Sequence, residues 1–287
     1  MKLIKYLKII IPSFIFFAMM EIFFENSSSF DSLIVLLLLS TLSAFWITKY
    51  KFLPIILSLL FSSGSILFLL ILGDVSKLSL LGFERLFLQQ ENALQHLYII
   101  ASSIIFAFSL IGLERFFLQQ EKWLEQREVK INILDSGFNL NQTIILISVF
   151  LISSGAYGIY IILDFPAWII MLTIFLSIFF STLYLTKINF IKSKASGIHL
   201  DSAKNKTFNL YSFLLGFIML ELIWALSFWP ANHLVVGSII LSAYYCFWNI
   251  LKSYLRNNFS KNTVILNLSF FILFIGLIVF IQYWQIR

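Results

Sequence analysis

The chain has little that ionises and almost nothing that crosslinks. Only 12% of its 287 residues are charged, three are histidine and one is cysteine. Each shortage closes a class of function. A single cysteine, Cys246, allows neither an intrachain disulfide nor a cysteine-based zinc site; inside an apolar stretch it reads as a small hydrophobe. His96, His199 and His233 stand in separate segments and no His-Glu-x-x-His occurs, so no zinc centre is expected. There is no Gly-x-Ser-x-Gly elbow, no phosphate-cradling P-loop and no Asp-rich pair for magnesium-diphosphate chemistry. No catalytic, cofactor-binding or metal-ligating residues are therefore assigned, and the reading leans away from an enzyme. Shortage of charge also argues against a soluble chain. Soluble domains are about 45–50% apolar and about 25% charged, whereas this one is 60% hydrophobic with a mean hydropathy of +0.94. The solvent that suits such a surface is lipid.

What is present is a series of long apolar runs. They fall at 9–25, 32–48, 53–73, 96–113, 142–163, 166–186, 208–229, 234–251 and 263–284. Each lies near the roughly 17–25 residues that a membrane helix needs, so the expected fold is an all-α bundle of nine transmembrane helices in a single membrane domain. The first run follows Lys2, Lys5 and Lys8 like a signal peptide, but no small-x-small cleavage pattern follows it, and it reads as a retained helix. Short breaks at Asp164–Phe165 and Pro230–His233 make helical hairpins. With the N-terminus inside, 17 of the 20 lysines and arginines fall on the inner side; only Lys77, Arg85 and Arg287 fall outside. Cytoplasmic segments collect positive charge, so the chain is oriented N-terminus in and C-terminus out, in the plasma (inner) membrane. The asymmetry also arbitrates 96–113, the shortest run with a serine pair: were it not to cross, twelve basic residues would move outside. The formal charge of +6 thus signals orientation and attraction to an anionic leaflet rather than nucleic-acid binding. Trp168, Trp229 and Trp284 at outer ends, with Trp46 and Trp248 at inner ends, suit headgroup anchors.

One internal repeat stands out. Gly82-Phe-Glu-Arg-Leu-Phe-Leu-Gln-Gln-Glu91 and Gly112-Leu-Glu-Arg-Phe-Phe-Leu-Gln-Gln-Glu121 agree at eight of ten positions. Phe83, Leu86 and Phe87 in the first, and Leu113, Phe116 and Phe117 in the second, fall at helical spacing among polar residues. They predict two short amphipathic helices at opposite interfaces. The second continues as a charged stretch, and the cytoplasmic helix 113–130 is where a protein partner would dock.

Small and hydroxyl residues punctuate the spans: Ser62-Ser63, Ser102-Ser103, Ser153-Ser154, and Ser154 with Gly158. Helices in lipid associate through close packing at such positions, which is favoured here over a polar conduit. The one acid deep in a long span is Glu221. A carboxylate in the membrane is costly and is expected to face other helices or a cavity. Trp224 lies three residues on, and His233 follows the Trp229-Pro230 break. Glu221, Trp224 and His233 form the candidate polar site. A proton- or cation-linked transporter of small solutes or lipids is one reading; a non-catalytic scaffold or assembly subunit working through protein partners is the other.

The segment from Glu221 carries an acid, then Trp-x-Leu-x-Phe-x-Pro closing a span, then a Gly-bearing span with Tyr244-Tyr245 and a last span ending in Tyr283-Trp284. This C-terminal part resembles an uncharacterised family of multi-pass bacterial membrane proteins. The resemblance implies a polytopic helical fold and carries no activity with it.

Overall fold

A computed structural model describes residues 2–25, 30–48, 53–75, 84–126, 131–163, 165–195, 207–229, 231–256 and 258–285. Among the described residues there are nine α-helices and no strand: α1 (Lys2–Glu25), α2 (Phe30–Ile47), α3 (Leu53–Val75), α4 (Glu84–Gln126), α5 (Ile131–Leu163), α6 (Ala167–Ala195), α7 (Phe208–Ser227), α8 (His233–Leu255) and α9 (Lys261–Gln285). Eight are long and apolar enough to cross a membrane; in α2 the described apolar stretch is the shorter Ile34–Ile47. In hydrocarbon every backbone polar group must be satisfied within the chain, which helices do by themselves. The protein is a multi-pass membrane protein.

The helices alternate in direction. The starts of α1, α3, α5, α7 and α9 share one end of the bundle with the ends of α2, α4, α6 and α8. Contacts at that end include Lys8 over the Trp46 ring at 5.5 Å and Tyr211 against Tyr254 at 5.9 Å. Lys187, Lys192, Lys194, Lys252, Arg256 and Lys261 lie there too, and it is termed the basic end below.

The hub is α5, which packs on α3, α4, α6 and α8. Its glycines explain the closeness. A Cβ on Gly155 would stand 2.8 Å from Leu67 Cβ, and one on Gly64 of α3 would stand 3.0 Å from Ile152 Cγ1. On another side of α5 it is Gly237 of α8 that meets Ser154, where a Cβ would approach Ser154 Cβ to 2.7 Å. Most serine hydroxyls bond back to their own helix, as Ser148 does to the Ile144 carbonyl at 2.8 Å. Others join neighbours: Ser58 Oγ donates to the Ser40 carbonyl at 2.6 Å, coupling α3 to α2. These positions serve packing.

Three expectations are corrected. The two repeat copies do not form separate short helices, because α4 runs unbroken for 43 residues through the described part of the first copy, the span and the second copy. No proline or glycine pair interrupts it, so the helix that crosses simply continues. In the second copy Leu113, Phe116 and Phe117 are buried, with the Phe116 backbone nitrogen 3.0 Å from a Cβ position on Gly137; its apolar side is engaged by α5. Gly82 and Phe83 lie outside the described residues, as do residues 127–130 of the expected docking helix. Trp248, expected as a headgroup anchor, is instead fully buried, because the face of α8 that carries it packs on the bundle. The hairpin α7–α8 is also looser than its short loop suggested: α7 packs mainly on α6, where Gly216 lies against the Phe175 ring.

Candidate functional site

Helical geometry decides where Glu221 points. The buried stripe of α7 is Phe208, Ser212, Leu215, Gly216, Met219, Ile223 and Leu226. Glu221 is two residues from both Met219 and Ile223, and two residues turn a helix by about 200°. Glu221 therefore lies opposite the stripe and is exposed. Its neighbours on that face are exposed with it: Phe217 at 48%, Trp224 at 57% and Phe228 at 72%. Trp224 and Phe228 meet edge to face at 5.1 Å. The expectation that Glu221 faces other helices or a cavity of its own bundle is thus not met. The small residues Ser212 and Gly216 give α7 its packing side on α6, and the acid is left on the other. Its carboxyl has no hydrogen-bond or ion-pair partner among the described residues.

His233 opens α8 and is half-buried. Asn232 caps this helix, its Oδ1 accepting from the Leu234 backbone N–H at 3.1 Å. The loop before it is held from inside: the Tyr157 hydroxyl donates to the Leu226 and Trp229 carbonyls, each at 3.3 Å. The end of α7 is therefore anchored through Leu226 and Trp229, and among the described residues no hydrogen bond or ring contact joins His233 to Glu221 or Trp224.

A second titratable constellation escaped sequence reasoning. Glu21 near the end of α1 meets His96 of α4, with Nδ1 2.9 Å from Oε2 and 3.0 Å from Oε1. Phe24 stacks edge-on against the imidazole at 5.5 Å. Beside it Gln95 Nε2 donates to the Leu72 carbonyl at 2.9 Å and the Tyr98 hydroxyl to the Ser65 carbonyl at 3.2 Å. The first turns of α4 within the span are thus tied to both α1 and α3. The partners are 75 residues apart, so no local pattern announces them. Among the described residues no group of three or more His, Cys, Asp or Glu side chains could hold a metal.

These features bear on the resemblance read from the C-terminal sequence. Residues 161–281 match the family "Protein of unknown function (DUF5656)". The DUF5656 region begins in the last turn of α5 and runs into α9, so it takes in Glu221, Trp224 and His233 and leaves out Glu21 and His96. No curated protein and no solved structure matches the chain.

Proposed function

We propose that the protein is a non-catalytic subunit of the plasma membrane that works by assembling with another membrane-embedded chain through the outer face of α7. The observation that carries this is the outward, unpartnered Glu221 amid exposed Phe217, Trp224 and Phe228. An ionisable group on a lipid-facing surface costs several kcal/mol on some scales, and such residues nearly always face protein or water. Aromatic anchors around one polar group are the composition of an interface centre. In this reading the basic end, with the N-terminus, faces the cytoplasm, by the charge asymmetry of the loops. The test places a photo-crosslinking amino acid at Trp224 or Phe217 in the native membrane. Discrete protein adducts that vanish in a Glu221→Leu background are expected; adducts to lipid alone would refute assembly through this face.

A second reading, proton-linked transport of a small solute or lipid, is favoured by a different observation: the Glu21–His96 contact. Carboxylate and imidazole groups within spans are the parts of proton relays. Were it correct, Glu21→Gln and His96→Asn would each abolish pH-driven uptake in vesicles while leaving the Glu221 adducts intact.

A further inference from the structure

The basic end contains a group of cations that neither reading uses. Lys252 in the last turn of α8 and Arg256 at its C-cap stand one turn apart, and Lys192 of α6 lies close enough to repel Lys252. Asp135 of α5 sits 2.7 Å from Lys192. Among the described residues Lys252 and Arg256 bind neutral oxygens: Lys252 Nζ donates to Gln142 Oε1 at 3.2 Å, and Arg256 donates through Nε and Nη2 to Asn189 Oδ1 at 3.2 and 2.9 Å. Neither has a carboxylate in ion-pair reach among the described residues. The buried Phe138 ring lies 4.5 Å from Lys192 Nζ and 5.3 Å from Lys252 Nζ, a contact that offsets part of the lost hydration of both ammoniums. The Asp135 carboxylate pairs with Lys192, which leaves Lys252 and Arg256 in a half-buried setting with neutral partners among the described residues. Like charges one turn apart repel, and burial pulls the Arg256 guanidinium below its ordinary value, with Asp135 opposing. Among the described residues Lys252 and Arg256 are short of an anion.

A pocket of about 280 Å³ opens beside it, between the last turns of α8 and the start of α9. Its lining is Asn249, Lys252, Ser253, Arg256, Asn258 and Asn267. Every one of these side chains is polar and none is acidic. Asn249 and Asn267 brace each other across the pocket at 3.4 Å. We propose that this pocket binds a phosphate group, with Lys252 and Arg256 as its cationic donors and the asparagine amides as its neutral ones. A tetrahedral anion offers several acceptor oxygens, which suits a guanidinium, an ammonium and amides converging from two helices. The pocket stands at helix ends, where basic clefts between membrane helices receive anionic headgroups. The phosphate can be that of an anionic lipid or one free in solution, and the experiment separates the two.

The purified full-length protein in neutral detergent is unfolded thermally with inorganic phosphate at constant ionic strength, or with added phosphatidylglycerol, phosphatidylcholine serving as control. Wild type is expected to gain stability from at least one of the first two and none from phosphatidylcholine. Lys252→Gln and Arg256→Gln should each raise the concentration needed by roughly tenfold or more, the loss of one charge-assisted contact. Lys187→Gln, an exposed lysine on α6, should leave it unchanged. Where Arg256→Gln does not fold, Asn258→Ala at the exposed rim replaces it. A response to phosphatidylglycerol alone identifies a lipid headgroup; a response to both identifies a site for phosphate as such. Absence of either response, a response undiminished in Lys252→Gln, or an equal loss in Lys187→Gln overturns the proposal. None of these outcomes depends on Glu221, so failure here leaves the assembly reading untouched.

Discussion

Replacing Gly155 by alanine tests whether the α3–α5 seam is a packed interface rather than a polar path. The new Cβ would lie 2.8 Å from Leu67 Cβ, 3.0 Å from the Leu67 carbonyl carbon and 3.1 Å from the Phe68 nitrogen. Ordinary contacts between carbon atoms lie at about 3.5–4.0 Å. Two of the three neighbours are backbone atoms of α3, so no rotamer change makes room and the helices must separate. Overpacking costs about 1–3 kcal/mol. Alanine returns up to about 1 kcal/mol because it is the better helix former. The expected net loss is about 1–2 kcal/mol. Gly158→Ala is the calibrating case. Its new Cβ would meet Ile71 Cδ1, with Cγ1 at 2.9 Å and Cγ2 at 3.2 Å; all three belong to one side chain and none to backbone, so the crowding can be relieved without parting the helices and the loss should be smaller. At Gly276 of α9 nothing lies within 4 Å, so alanine should be neutral or stabilising. Unfolding each variant with increasing dodecyl sulfate in mixed micelles, followed by tryptophan fluorescence, gives the ranking. A Gly155→Ala protein as stable as wild type, or a Gly276→Ala protein as damaged as Gly155→Ala, would refute the reasoning.

Three further outcomes are expected. Glu221→Leu should stabilise the isolated chain in detergent, since it removes an acid from an exposed apolar face at a site where charge costs about 2.5–3.5 kcal/mol on insertion scales; destabilisation would show that the carboxyl makes a contact within its own bundle. A double-mutant cycle on Glu21→Gln and His96→Asn should return a coupling of about 0.5–1 kcal/mol, modest because His96 is 45% exposed; a coupling of zero would show that the two side chains do not meet. Cysteines at Asn232 and Ser260, both exposed and at opposite ends, should react with an impermeant thiol reagent from outside and inside respectively, with Cys246 silent because it is buried; the reverse pattern would invert the proposed orientation.

Much of the architecture was legible in order along the chain. Apolar runs of sufficient length mark helices without ambiguity, because the cost of unsatisfied backbone in lipid leaves the chain no other local choice. The match over 161–281 likewise agrees with the motif running from Glu221 through Pro230 to Tyr244. What hydropathy cannot convey is which side of a helix faces inward. In a soluble protein the polar side marks the exterior; in lipid the exterior is as apolar as the core, and that signal is lost. This is why Glu221 was expected within the bundle and lies outside it, and why Trp248 was expected at the headgroups and is fully buried. It is why α7 leans on α6 rather than on its hairpin partner, a choice made by Gly216 and Ser212. The end of an apolar run does not mark the end of its helix either, and α4 extends well beyond its span at both ends. The Glu21–His96 contact and the cations gathered around Phe138 each join helices distant in sequence. Composition determined that this chain lives in a membrane; only the packing of one helix on another decided which of its few charged groups meet, and which are left facing outward.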